Sequence, residues 1–104
     1  MRNFLLLALL LLPSPAFAQF PPTGFYDCLD AAKVKLGVLT LQAGGEYQWD
    51  ADGVSLPGQF ATSGAAAEAV TGVLAEKHWR GLFFTVMGAT RFTFETDAGQ
   101  VKCE

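Results

Sequence analysis

The chain has 104 residues, of which 51% are hydrophobic and 16% are charged. This length allows one small domain and leaves no room for a second. Ten acidic residues outnumber seven basic ones, and the formal net charge is −3. The basic residues form no patch, which argues against binding of nucleic acid and against attraction to an anionic membrane surface.

The first eighteen residues have the pattern of a cleavable signal peptide. A short basic start at 1–3 precedes an apolar run at 4–12, which 13–15 (Pro-Ser-Pro) interrupts. The small residues of 16–18 (Ala-Phe-Ala) then predict cleavage before Gln19. The apolar run is about half of the roughly 20 residues that a membrane span needs, so we expect no span after cleavage. The sequence therefore predicts a periplasmic or secreted protein whose single domain covers 19–104.

Only two cysteines are present, Cys28 near the start of this domain and Cys103 next to its last residue. Disulfides persist in the oxidising compartments to which a signal peptide leads. We therefore predict a Cys28–Cys103 bridge that closes nearly the whole domain. The loop-closure entropy of such a bridge is worth about 4 kcal/mol.

Short segments of alternating apolar and polar residues recur along the rest of the chain, and most of them open with glycine. Such alternation, rich in aromatic and β-branched residues, indicates half-buried strands. Turn residues at 50–53 and 97–99 predict hairpins between neighbouring strands. The sequence thus predicts an all-β domain: a small antiparallel barrel or sandwich of about seven or eight short strands, closed by one disulfide. The predicted strands are 24–28, 37–41, 45–49, 58–62, 81–87, 91–95 and 99–103.

The alternation also predicts which side chains face the core. The segment 82–87 is apolar on both faces, so we expect a central or covered strand there. The stretch 63–80 is ambiguous: 65–69 has helix propensity, whereas a strand at 69–74 fits the pattern better. The residues expected to point inward are Tyr47, Trp49, Phe92, Phe94, Val101 and Cys103.

The order of these segments resembles that of small exported bacterial β-proteins without an assigned activity. The resemblance rests on 25–28 (Phe-Tyr-Asp-Cys), 37–41 (Gly-Val-Leu-Thr-Leu), 45–47 (Gly-Glu-Tyr), 58–60 (Gly-Gln-Phe) and Cys103. It covers nearly all of the domain, and it implies a fold and an export route but no chemistry.

A second resemblance is to the periplasmic inhibitors of c-type lysozyme, which are small β-barrels. It rests on 26–28 (Tyr-Asp-Cys), Cys103 and the segment Ser63-Gly64-Ala65. The chain departs from that pattern directly afterwards, at Ala66-Ala67, and it lacks the later Phe-Trp-x-x-Gly-like strand.

The segment 75–80 (Ala-Glu-Lys-His-Trp-Arg) gathers both charge signs, a histidine and a tryptophan between two predicted strands. Because Trp and Arg are enriched at binding hot spots, we consider His78, Trp79 and Arg80 as a binding site. The alternative is that Trp79 folds back as a lid on one end of the barrel, with Arg80 stacked on it.

No set of residues predicts catalysis, a metal or a cofactor. His78 is the only histidine, and neither Ser55 nor Ser63 lies in a Gly-x-Ser-x-Gly motif. The carboxylates Asp50 and Asp52 have the spacing of a calcium loop, but Val54 follows them, so a hairpin turn is the better interpretation. We therefore expect an exported, non-enzymatic binding protein for a protein or envelope partner. The alternative is an inhibitor of a host hydrolase such as c-type lysozyme.

Overall fold

The computed structural model describes residues 21–104, so the predicted signal peptide and its cleavage position lie outside the described residues. Eight antiparallel strands follow one another around a closed barrel. The predicted all-β fold is confirmed, and the alternative between barrel and sandwich is resolved in favour of the barrel. In chain order the strands are β1 (Gly24–Asp30), β2 (Lys35–Leu41), β3 (Glu46–Ala51), β4 (Val54–Ser63), β5 (Ala66–Thr71), β6 (Arg80–Val86), β7 (Ala89–Thr96) and β8 (Gly99–Cys103).

The connections between strands are short, and they define two ends of the barrel. A 3-10 turn (Ala43–Gly45) links β2 to β3, and a one-turn helix, α1 (Val73–Glu76), lies between β5 and β6. In an up-and-down barrel alternate connections share an end. We call the end with α1 and the β1–β2, β3–β4 and β7–β8 turns the helix end, and the opposite one the hairpin end.

The barrel closes where β1 meets β8, and the disulfide lies at this seam. Cys28 and Cys103 are directly opposite each other, with Cα atoms 4.0 Å apart, and both are fully buried. Beside them, Asp27 and Glu104 exchange two main-chain hydrogen bonds of 2.8 and 3.0 Å. The β1–β8 ladder contains only three residue pairs, so the covalent bond reinforces a short seam. The predicted bridge is confirmed.

Aromatic rings fill the barrel interior. All six side chains that the alternation predicts to face inward are buried. Phe94 contacts three rings, those of Phe60, Trp79 and Phe92, at centroid distances of 5.7, 5.2 and 5.3 Å. Side chains therefore fill the described interior, as expected for a barrel of eight strands.

Two of the glycines make room for this packing. Trp49 lies across Gly37, where a Cβ would come within 2.8 Å of its ring, and Tyr47 lies in the same way against Gly58 on β4. Such aromatic side chains cover the backbone that a strand glycine leaves bare. The glycines that mark the strands in the sequence therefore serve packing as well as turns.

The ambiguous stretch contains a strand that begins earlier than predicted. The strand is Ala66–Thr71 rather than 69–74, and the short helix α1 (Val73–Glu76) follows it. Helix propensity in the alanines is overridden because Ala67 and Ala69 face inward, with Ala69 opposite the large ring of Phe60.

The expectation of a covered strand at 82–87 is wrong. The outward side chains of β6, those of Leu82, Phe84 and Val86, are each at least half exposed, and Met87 is fully exposed. In a single-layer barrel nothing lies over the outer face, so apolar residues on both faces do not imply burial on both.

Candidate functional site

A cleft of about 700 Å³ opens at the helix end of the barrel. Its floor is apolar and includes Trp49, Trp79 and Leu74. Charged side chains stand around it, one or more from each connection at this end. The charged lining residues are Asp30, Asp52, Glu76, Lys77 and Asp97.

Tyr47 holds α1 over the barrel interior. Its hydroxyl donates to the carbonyl of Thr71 (2.7 Å) and accepts from the N–H of Leu74 (3.2 Å). Between them Gly72 has a φ of 88° and no room for a Cβ beside the Tyr47 hydroxyl. Burial raises the pKa of Tyr47, an effect that the nearby Glu76 carboxylate increases and the hydrogen bond from Leu74 opposes. The neutral phenol is thus the form that the fold requires.

Trp79 is part of the core. Only 3% of it is exposed, and its ring lies 5.2 Å from that of Trp49. The main-chain N–H of Trp79 donates to the carbonyl of Leu74 (3.0 Å), and the main-chain carbonyl of Trp79 accepts from the N–H of Ala69 (2.9 Å). The ring of Trp79 thus folds inward at one end of the barrel, as the alternative interpretation expects, but Arg80 lines a different groove. In this position Trp79 forms part of the floor of the cleft.

His78 ties two connections together at the edge of the cleft. Its Nδ1 lies 2.9 Å from Oδ2 of Asp97, and the Asp97 N–H donates to the carbonyl of Lys77 (3.1 Å). The backbone of His78 has a φ of 58°, a conformation that lets the chain turn between α1 and β6. The loop before β6 and the β7–β8 turn are therefore joined by a side-chain and a main-chain contact.

Arg80 lies apart from the cleft, on the outer wall of the barrel. It is opposite Glu95 on β7 and Glu68 on β5, and it lines a separate groove with both. The structure thus separates the three residues singled out in the sequence: His78 at the edge of the cleft, Trp79 in its floor, and Arg80 outside it.

The cleft combines an apolar floor with an excess of negative charge, four carboxylates to one lysine ammonium. Sequence reasoning identified the segment 75–80 but missed the acidic residues of the other connections. The sequence does contain a signal for this acidic cluster, because alternate turns of an up-and-down barrel lie at one end and each of these turns carries an acidic residue. It required the strand order to be known.

Within residues 21–104, no three or more His, Cys, Asp or Glu side chains are grouped so that they could hold a metal ion. The same part of the chain contains no helix that is long and apolar enough to cross a bilayer. No family model, curated protein or solved structure matches this chain.

Proposed function

We propose that this chain is an exported, non-enzymatic binding protein that captures a cationic group of a protein or envelope partner in the cleft at its helix end. The observation that carries the proposal is the Trp49 and Trp79 floor with carboxylates around it. Mouths of β-barrels are common binding sites, and an apolar pocket with a few convergent polar groups is the usual form of such a site.

The chemistry favours a lysine or arginine side chain of the partner. The alkyl stem of such a side chain can pack on the apolar floor while its charged end meets Asp52 and Glu76. A charged end that lies over the face of an indole ring gains a cation–π attraction, because the ring face carries partial negative charge. Because the carboxylates lie at the rim of the cleft, they also increase the rate of association with a basic partner. Added salt should lower both this rate and the strength of the charge contacts.

Export is supported by the predicted signal peptide and by the buried disulfide, which an oxidising compartment preserves. Expression of the full chain in a Gram-negative host, followed by mass spectrometry of the periplasmic fraction, tests this part. We expect a product that begins at Gln19 and lacks free thiols. A product that keeps residues 1–18 in the cytoplasmic fraction contradicts it.

The binding proposal can be tested with an oligolysine peptide and an oligoglutamate peptide of equal length, with tryptophan fluorescence as the readout. We expect the oligolysine peptide alone to bind, and the double variant D52N/E76Q to bind it at least about tenfold more weakly, as loss of two charge contacts implies. The matched control is E46Q, which removes an exposed carboxylate from the opposite end. Equal weakening by E46Q, or no binding of either peptide, contradicts the proposal.

The second candidate function is inhibition of a hydrolase such as c-type lysozyme. It is favoured by the exposed segment Ser63-Gly64-Ala65, which resembles the corresponding segment of those inhibitors and comprises the last residue of β4 and the turn that leads to β5. A cell-lysis assay with c-type lysozyme and a micromolar excess of this protein tests it. Slower lysis that the turn variant S63A/G64A relieves supports inhibition, and an unchanged rate excludes it.

A further inference from the structure

The strand β6 has an edge that is only partly paired. It pairs with β7 along its whole length, in seven residue pairs, but with β5 over only Arg80, Gly81 and Leu82. One further hydrogen bond, from the N–H of Phe83 to the carbonyl of Ala65 (2.8 Å), ends the contact with β5. Main-chain groups alternate sides along a strand, so the N–H and C=O of Thr85 face the same edge as those of Phe83. No residue in 21–104 pairs with Thr85 on that side.

The side chains next to this edge are apolar and exposed. Phe84 is 50% exposed, Val86 54% and Met87 100%. The whole segment 81–90 contains no charged residue and no proline, two of the features with which natural proteins protect an exposed edge. An uncharged edge with free main-chain groups is a surface on which another strand can be added.

We propose that this edge is a homodimer interface, in which β6 of one copy pairs antiparallel with β6 of a second copy about a two-fold axis at Thr85. A two-fold interface requires a self-complementary surface, and this segment provides one. Centring on Thr85 lets the two Thr85 residues exchange both main-chain hydrogen bonds. The same register places Phe84 opposite Val86 of the second copy, twice, so that two pairs of exposed apolar side chains cover each other.

A second copy fits the edge better than an unrelated peptide does. The free edge is short, so main-chain hydrogen bonds alone provide little affinity, and the side chains beside it must be complementary. In the symmetric register Phe84 and Val86 of the two copies meet that need, and each contact forms twice. The free edge at 84–86 lies toward the hairpin end, whereas α1 precedes the first residue of β6 at the helix end. The dimer therefore leaves both clefts open, and this inference stands whether or not the cleft binds a cation.

The test is sedimentation velocity of the oxidised protein from about 1 μM to 1 mM, together with hydrogen exchange of the Thr85 amide. We expect a concentration-dependent dimer and slower exchange of Thr85 at high concentration. The variant V86K places a lysine opposite Phe84 of the second copy at two symmetric positions, so we expect its dissociation constant to rise at least about tenfold. The control V70K changes a residue on β5 with nearly the same exposure, 49%, and should dimerise like the parent protein.

A second variant guards against a change in folding. T85P removes the N–H that donates to no described residue, and we expect a folded monomer that melts at a lower temperature than V86K, because the hydroxyl of Thr85 also contacts that of Thr90 (2.8 Å). Three outcomes overturn the proposal: a protein that is monomeric throughout the range, a dimer that V86K and T85P leave intact, and a dimer in which the exchange of Thr85 is unchanged. A monomer whose Thr85 amide is protected only by an added foreign peptide would also overturn it and assign the edge to a different partner.

Discussion

The ring of Tyr47 lies against Gly58, its directly opposite residue on the next strand, and its hydroxyl reaches past that strand to the start of α1. One side chain thus connects the packing of the barrel wall to the position of the helix that borders the cleft. The absence of a Cβ at Gly58 is what permits this path, and Gly72 permits it at the other end.

We expect Gly58→Ala to lower the free energy of unfolding by about 3 kcal/mol, the upper part of the range for overpacking. The new methyl group would overlap the Tyr47 ring, which cannot move without losing both hydrogen bonds of its hydroxyl. Chemical denaturation measures the effect. The control is Gly64→Ala, where no atom lies within 4 Å of a Cβ but φ is 59°, so only the backbone cost of about 1 kcal/mol applies. Equal costs at the two positions would refute the packing argument.

The stability should fall in alkaline solution because of Tyr47. Burial raises its pKa above the ordinary 10.0, so the folded state favours the neutral phenol. The stabilisation is therefore complete below about pH 10 and is lost as the pH rises through the raised pKa of the folded state. We expect the free energy of unfolding to fall less steeply above pH 10 in Tyr47→Phe than in the parent protein.

Tyr47→Phe should also cost about 1–3 kcal/mol at neutral pH, because the N–H of Leu74 and the carbonyl of Thr71 lose their partner. The pKa of Tyr26 is raised by burial as well, so Tyr26→Phe serves as a comparison for the alkaline slope. If the slope is the same in the Tyr47 variant and the parent, the phenol does not titrate on unfolding as described.

Removal of the disulfide should destabilise the barrel by about 4 kcal/mol, since the bridge closes a loop with a sequence separation of 75 residues. Cys28→Ala combined with Cys103→Ala tests this without exposing thiols, because both positions are fully buried. Denaturation of this double variant, and of the parent protein with and without reductant, measures the change. An unchanged transition in all of these would show that the seam holds without the bond.

Truncation of the two neighbours His78 and Trp79 should lower stability by very different amounts. Trp79→Ala removes a core ring that contacts Trp49 and Phe94, so we expect a loss of about 3–5 kcal/mol. His78→Ala breaks an exposed contact with Asp97, which is worth less than about 1 kcal/mol. Thermal melting compares the two variants. A His78 variant as unstable as the Trp79 variant would mean that the tie to the β7–β8 turn matters more than its exposure implies.

Much of this fold could be predicted because each strand carries its own pattern. Alternation identified the inward faces of β3, β7 and β8, and the turn at Asp52 and Gly53 has the two positive φ angles, 53° and 78°, that a two-residue hairpin requires. These features depend on neighbours in sequence, so a single sequence contains them.

What could not be predicted depends on contacts between distant residues. The alanines of β5 form a strand because Phe60 on β4 needs small partners, and Trp79 turns inward because Leu74 and Ala69 hold its main chain. The cleft could not be predicted either, because its acidic residues come from four connections that lie together only in the closed barrel. Apolar residues on both faces of β6 were misread because this composition fits burial on both faces, whereas the outer face of the strand is exposed.

The sulfur atoms at the β1–β8 seam are sealed from solvent, so no small reagent can reach them in the closed molecule. A reducing agent therefore attacks only when the β1–β8 ladder opens locally. The rate of reduction then reports how often β1 and β8 separate. A partner that binds across these two strands would lower this rate without contacting either cysteine.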